Sequence, residues 1–264
     1  TSTGWRHWRG GDGMEGLISP TNENLMWGTS QWGSIIRTTN GGLSTTSLNQ
    51  PAPGPWTTPL AIAPNSNTIY GAWNGGIYRS TDLGNTWTQI FFSSVTALAI
   101  APSNPQYIYA SDGYLNIHVT KDGGMSWFTY LMPEGSRAPR SIAVSPLDPE
   151  KIWVIDNNNA ASVSVSTDAG VSFTNITGSL PAIAGRSIVV DDNENESVYV
   201  GMNLGIFYKD NTMTDWMDIS NGLPLVAINE LEIQKSSSIL RVATYGRGVW
   251  ENGLYNVPPP CSAP

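Results

Sequence analysis

The five residues Leu60-Ala61-Ile62-Ala63-Pro64 recur unchanged at Leu98-Ala99-Ile100-Ala101-Pro102. Segments with the same alternation of apolar residues read LISP, IAVSP, IVVDD and LEIQK, and they begin at Leu17, Ile142, Ile188 and Leu231. After each of the first five, a second apolar segment carries an aromatic residue, at intervals of 39 to 46 residues; these are Trp27, Tyr70, Tyr109, Trp153 and Tyr199. Alternation with period 2 is typical of β-strands. The chain is therefore a series of six strand repeats.

The length of the repeat predicts an all-β fold, a β-propeller of six four-stranded blades, because such blades recur about every 40–45 residues. The small residues Ala61, Ala99 and Ala143 suit a first strand beside the crowded central axis. A β-sandwich would not require a fixed interval. The sixth repeat ends at its third strand, so we expect the segment Gly4–Trp8 to supply the outer strand and close the ring. A seven-bladed ring, or a part of a larger propeller, are the alternatives.

A turn motif lies between the third and fourth strands. Ser80–Trp87 and Thr120–Trp127 match S/T-x-D-x-G-x-x-W, and Ser166–Phe173 matches with Phe in place of Trp. We expect the Asp to accept backbone N–H groups, the Gly to adopt a positive φ and the aromatic ring to pack between blades. The residues with this structural role are Asp82, Gly84, Trp87, Asp122, Gly124, Trp127, Asp168, Gly170 and Phe173. Incomplete copies begin at Thr38 and Tyr208.

These turns resemble the Asp-box (BNR) repeat of the sortilin, xyloglucanase and sialidase-like superfamily of propellers. The segments Gly10–Glu15 and Tyr245–Trp250 also resemble sortilin-like propellers of large exported bacterial proteins. The resemblance covers nearly the whole chain. It implies a propeller over residues 1–256 and a Pro-rich linker over 257–264 that leads to further domains. It also implies a protein that is secreted or held at the cell surface.

Composition excludes several classes of partner. The 264 residues carry a net charge of −8, and only 13% of them are charged. Nucleic acids and anionic membranes require clustered Lys and Arg, so we expect neither as a partner. No apolar run reaches the roughly 18 residues of a transmembrane helix, so we expect no membrane insertion. The single cysteine, Cys261, excludes a disulfide within the chain. With two histidines and no cofactor motif, we expect neither a metal nor a cofactor.

In a propeller, the loops between strands two and three share one face with the loops that join successive blades. Exposed aromatic rings on that face suit stacking on sugars, and Trp, Tyr and Arg are also enriched in protein interfaces. We therefore predict a non-catalytic module that binds a glycan or an extracellular protein. The predicted ligand-binding residues are Trp32, Trp56, Trp73, Tyr114, Tyr245 and Arg247.

A glycoside hydrolase is the first alternative, since the resemblance includes xyloglucanases. Hydrolysis requires two carboxyl groups about 5–9.5 Å apart, and the candidate acids are Asp12, Glu15 and Glu134. The xyloglucanase motif T-D-x-G-G corresponds here to Gly28–Gly33, which has no carboxylate. The arginine triad and Tyr/Glu pair of the sialidases are not recognisable. The second alternative is a structural propeller of an adhesin or filament.

Overall fold

The chain folds as a six-bladed β-propeller. The computed structural model describes residues 7–255, which contain 23 strands and two short 3-10 turns, Gln31–Gly33 and Lys235–Ser237. Five sheets have four antiparallel strands, and the sixth has three within this range. In every sheet the strands lie side by side in chain order. The number of blades predicted from the repeat is confirmed.

The bounds of the strands follow the repeats of the sequence. Blade 1 contains β1 (Gly16–Ser19), β2 (Asn22–Thr29), β3 (Ile35–Thr38) and β4 (Thr46–Ser47). Blade 2 contains β5 (Leu60–Ile62), β6 (Ile69–Trp73), β7 (Gly76–Ser80) and β8 (Thr88–Phe91). Blade 3 contains β9 (Ala97–Ile100), β10 (Ile108–Ser111), β11 (Asn116–Thr120) and β12 (Phe128–Leu131). Blade 4 contains β13 (Pro139–Val144), β14 (Ile152–Asp156), β15 (Val163–Ser166) and β16 (Thr174–Asn175). Blade 5 contains β17 (Gly185–Val190), β18 (Val198–Met202), β19 (Ile206–Lys209) and β20 (Met217–Asp218). Blade 6 contains β21 (Ile228–Gln234), β22 (Ile239–Thr244) and β23 (Gly248–Gly253).

The first strands of the blades surround a central channel. From β1 to β21, each first strand lies next to the first strand of the following blade. Residues from all six blades line a cavity of about 960 Å³ between them. Because each first strand begins where a loop from the preceding blade arrives, this topology gives the propeller an upper face. The upper face carries the loops between blades and the turns between second and third strands. The turns between third and fourth strands lie on the lower face.

The lower-face turns have the local geometry that the motif predicts. In blade 2, Asp82 Oδ1 accepts the backbone N–H of Thr86 at 2.9 Å, and Gly84 has a φ of +89°. Hydrogen bonds from Thr86 and Ser80 lower the pKa of Asp82 to about 2. Trp87 Nε1 donates to the carbonyl oxygen of Asn49 in the preceding blade, at 3.1 Å. Each such turn therefore stabilises its own hairpin and fastens its blade to the one before.

Apolar clusters join the blades at five junctions. Trp27 of blade 1 packs with Trp73 of blade 2, and Tyr109 of blade 3 packs with Ile152 of blade 4. Equivalent clusters join blades 2 and 3, 4 and 5, and 5 and 6. Within residues 7–255 no apolar cluster joins blade 6 to blade 1. All six residues of β23 are exposed.

The strand expected to close the ring falls mainly on residues 1–6, which lie outside the described range. Trp8 is described, and it packs on blade 1: a Cβ atom placed on Gly42 would lie 3.0 Å from the Cβ of Trp8. Gly84 is the equivalent glycine of blade 2, and there the neighbouring side chain is that of Leu48. Leu48 directly follows β4, the fourth strand of blade 1. Trp8 thus occupies the place where an outer strand of blade 6 would contact blade 1. This agrees with the expected closure by the N-terminal segment.

The predicted linker at residues 257–264 also lies outside the described range. No helix between residues 7 and 255 is long and apolar enough to cross a lipid bilayer.

Candidate ligand-binding face

An exposed pair of tryptophans stands on the upper face at the junction of blades 1 and 2. Trp32 comes from the turn between β2 and β3, and Trp56 comes from the loop between β4 and β5. Their side chains are 58% and 50% exposed, although each ring is large and apolar. The ring centroids are 5.2 Å apart and the ring planes are nearly perpendicular, at 88°. The pair forms an apolar ridge of which about half is exposed on the upper face.

The backbone holds Trp32 in an unfavourable conformation. Its φ of 63° and ψ of 23° lie in the left-handed region, which bulky residues seldom adopt. Such a conformation costs about 1–3 kcal/mol and is found most often at functional sites. The carbonyl oxygen of Trp32 accepts hydrogen bonds from the backbone N–H of Gly54, at 2.9 Å, and from Gln50 Nε2, at 3.2 Å. The loop that carries Trp56 therefore also fixes Trp32.

Trp73, predicted to be an exposed ligand-binding residue, is buried in the core. It is only 1% exposed, and its ring centroid lies 4.7 Å from that of Trp87. Trp73 is the last residue of β6, and only Asn74 and Gly75 separate β6 from β7, so the side chain packs against blade 1 instead of pointing out of a turn. Its Nε1 donates to the carbonyl oxygen of Gly33 at 3.0 Å. The predicted exposure of Trp73 is wrong, but Trp73 supports the turn that presents Trp32.

Tyr114 lies in a separate cleft at the junction of blades 3 and 4. The side chain is 76% exposed and lines a depression of about 510 Å³. Asp112 fixes the turn, because it accepts the backbone N–H of Tyr114 at 2.9 Å and the Nδ2 of Asn116 at 2.6 Å. The residues that line the depression include Leu115, Leu131, Arg137 and Asn157. Tyr114 is thus placed on the predicted face, but two junctions away from the tryptophan pair.

Three glutamates line the channel near the upper face. Glu15 directly precedes β1, and Glu230 and Glu232 lie on the side of β21 opposite the buried Leu231. Burial within the channel, followed by the charges of Glu230 and Glu232, raises the pKa of Glu15 to about 7. Burial and Glu230 raise the pKa of Glu232 to about 7. Solvent in the channel reaches Glu230 and Glu232, which are exposed, while Glu15 is partly buried. The site therefore contains carboxyl groups that take up protons near neutral pH.

Of the three acids predicted as catalytic candidates, only Glu15 lines this channel. Asp12 lies on the exposed rim, where its Oδ2 accepts from Gln31 Nε2 at 2.6 Å. Glu134 lies in the exposed loop between blades 3 and 4. Sequence reasoning missed Glu230 and Glu232. The sequence does contain a feature that could have indicated them. Two acidic residues alternate on the sixth first strand, where the first strands of other blades carry small or apolar residues.

The last two predicted ligand-binding residues come from the turn between β22 and β23. Tyr245 is 72% exposed and lines the channel mouth. Arg247 is also exposed, but it does not line the channel. Across residues 7–255, no three His, Cys, Asp or Glu side chains come close enough together to hold a metal ion.

Comparison with known proteins supports the fold. No family model matches the sequence, and no curated protein matches it significantly. Among solved structures, an ancestral GH74 enzyme superposes on 95% of the chain with a TM-score of 0.75 and 18% identity, over 38% of the enzyme's length. The GH74 xyloglucanase from Xanthomonas campestris superposes on 94% of the chain with a TM-score of 0.71 and 16% identity, over 45% of its length. YCF48 bound to D1 peptide superposes on 92% of the chain with a TM-score of 0.67 and 15% identity, over 77% of its length.

These similarities show a shared β-propeller fold. The chain spans less than half the length of the GH74 enzymes. Because one fold hosts many unrelated functions, the shared fold assigns no activity to the chain.

Proposed function

We propose that this chain is a carbohydrate-binding module of a secreted or cell-surface protein, and that the Trp32–Trp56 pair is the main contact with the sugar. The single observation that carries the proposal is an exposed, edge-to-face tryptophan pair on the upper face. A pyranose ring has an apolar face of C–H groups that stacks on an indole ring. Two perpendicular rings can contact one sugar from two sides or two successive sugars.

The energetics of such a site agree with its geometry. Binding a ligand immobilises flexible side chains, and each immobilised side chain costs about 0.5–1.5 kcal/mol of binding free energy. Trp32 and Trp56 avoid part of that cost, because the hydrogen bonds between Trp32, Gly54 and Gln50 fix the backbone of both loops. The left-handed backbone conformation of Trp32 also fits a binding role, since strained conformations cluster at functional sites.

We expect Trp32→Ala and Trp56→Ala each to weaken binding of a soluble polysaccharide at least tenfold, which corresponds to about 1.4 kcal/mol. Affinity electrophoresis in gels that contain xyloglucan, mixed-linkage β-glucan or galactomannan would measure the retardation of each variant. Leu225→Ala is the matched control, because Leu225 is an 81% exposed apolar residue in the loop between blades 5 and 6. Full retardation of both tryptophan variants, with unchanged folding, would refute this site.

The acidic channel favours a second candidate function, glycoside hydrolysis. Glycosidases pair a carboxylic acid of raised pKa with an ionised carboxylate. Glu15, with a pKa of about 7 and two further carboxyl groups close by, has the properties of the acid. Screening the same polysaccharides for release of reducing sugar tests this candidate. Hydrolysis that falls at least a hundredfold in Glu15→Gln, but not in Glu134→Gln, would replace the binding module with an enzyme.

A further inference from the structure

Blades 4, 5 and 6 share an irregularity at the start of their first strands, and in blade 6 the extra residue is Asn229. The register of β13 on β14 shifts between Pro139 and Ser141, and that of β17 on β18 shifts between Gly185 and Ser187. Each shift leaves one extra residue, so Arg140 and Arg186 occupy equivalent β-bulges. The surrounding sequences match, since Ala138-Pro-Arg-Ser-Ile corresponds to Ala184-Gly-Arg-Ser-Ile. Bulges redirect side chains and are over-represented beside functional sites. Both arginines line the central channel.

The two guanidinium groups belong to the same wall of the channel, the one formed by blades 4 and 5. Burial, followed by the charge of Arg186, lowers the pKa of Arg140. Arg186 Nε donates to Asn203 Oδ1 at 2.7 Å, which orients its guanidinium group. Within residues 7–255, neither arginine forms an ion pair, and Arg140 donates no hydrogen bond through its side chain. Two cations on one wall of the channel repel each other, and a bound anion would relieve that repulsion.

We infer that Arg140 and Arg186 form an oxoanion site, which holds the carboxylate or sulfate group of an acidic sugar. Guanidinium groups bind such anions through paired N–H donors, and two of them can enclose one anion. The inference rests on the proposed function for the sugar to which the anion belongs. The glutamates determine the orientation of the ligand. Glu15, Glu230 and Glu232 line the wall formed by blades 1 and 6, while the arginines line the wall formed by blades 4 and 5. The anionic group therefore faces the arginines.

Polygalacturonate, dextran sulfate and neutral xyloglucan are suitable probes, measured by affinity electrophoresis and titration calorimetry. We expect the wild-type protein to bind an acidic polymer at least tenfold more tightly than the neutral one. Arg140→Gln and Arg186→Gln should each remove most of that preference, and the double variant should remove all of it. Lys235→Gln is the control for net charge, because Lys235 is an exposed cation that follows β21, away from the channel mouth. Preference for polygalacturonate identifies a carboxylate as the anion, and preference for dextran sulfate identifies a sulfate.

The outcomes separate this inference from the proposed function. Unchanged binding of acidic polymers by the double variant, with loss of binding in Trp32→Ala, would overturn the oxoanion site and leave the binding module. If no polysaccharide binds, inorganic sulfate is the remaining probe. A sulfate-dependent rise in Tm that the double variant lacks would support the oxoanion site and refute the sugar as its ligand. Binding of polyglutamate in place of polygalacturonate would also refute the sugar, in favour of an acidic peptide.

Discussion

Trp73→Ala should produce the largest loss of stability of any single truncation on the ligand-binding side of the propeller, about 3–5 kcal/mol, as for other buried Trp or Phe residues. For a chain of this size that corresponds to a Tm lower by about 10 °C. Trp73 is 1% exposed and packs against Trp87 and Tyr78. The variant should also lose polysaccharide binding, because the indole N–H that holds Gly33, next to Trp32, is absent. Thermal denaturation followed by circular dichroism, together with affinity electrophoresis, measures both effects.

A second variant separates packing from the hydrogen bond. Trp73→Phe keeps most of the apolar ring and removes the N–H donor, so it should remain folded at 25 °C with a loss of about 1–2 kcal/mol. Its binding should still weaken, since the carbonyl of Gly33 no longer has its partner. Tyr114→Ala removes a 76% exposed ring from the same face and should leave Tm within about 1 °C. Wild-type binding by Trp73→Phe would show that Trp73 does not position Trp32.

The sequence predicts the architecture well, because a propeller repeats one local problem in every blade. Each repeat must bury apolar side chains of its sheet against the neighbouring blades. The apolar pattern of β6 therefore recurs one repeat later, in β10. The turn motif is predictable for a similar reason. The Asp82 carboxylate, Gly84 and Trp87 act within one hairpin and its neighbour, and their roles depend on local chemistry.

The sites were less predictable, because they depend on how blades meet. Trp73 and Trp32 have similar sequence positions near the ends of second strands, yet one ring is buried and the other exposed. The difference arises from turn length: Asn74-Gly75 returns the chain at once, whereas the turn after β2 extends over Ser30–Ser34 and places Trp32 in the left-handed region. Likewise, the alternation of Glu230 and Glu232 shows that they share one side of β21. It does not show that this side meets Glu15 across the junction of blades 6 and 1.

This junction should make the propeller most stable in mildly acidic solution. Glu15 and Glu232 have pKa values of about 7 in the folded protein, above the ordinary value of 4.5. The folded state therefore binds more protons than the unfolded state between about pH 4.5 and 7, and stability falls as the pH rises through that window. Below about pH 4, the lower-face aspartates oppose this trend. Asp82 and Asp122 have pKa values of about 2 when folded, so their contribution is lost as they become protonated.

We therefore expect Tm to be highest near pH 5 and lower by several degrees at pH 8. The double variant Glu15→Gln/Glu232→Gln should match the wild type at pH 5 and exceed it by about 3–6 °C at pH 8, because neutral amides avoid both the desolvation and the repulsion. Arg140, Arg186 and Arg241 also face the channel or β21, so salt should reduce the difference. Glu134→Gln, which removes one carboxylate from an exposed loop, should follow the wild-type curve at every pH. A double variant that remains parallel to the wild type from pH 5 to pH 8 would show that these glutamates do not repel each other across the junction of blades 6 and 1.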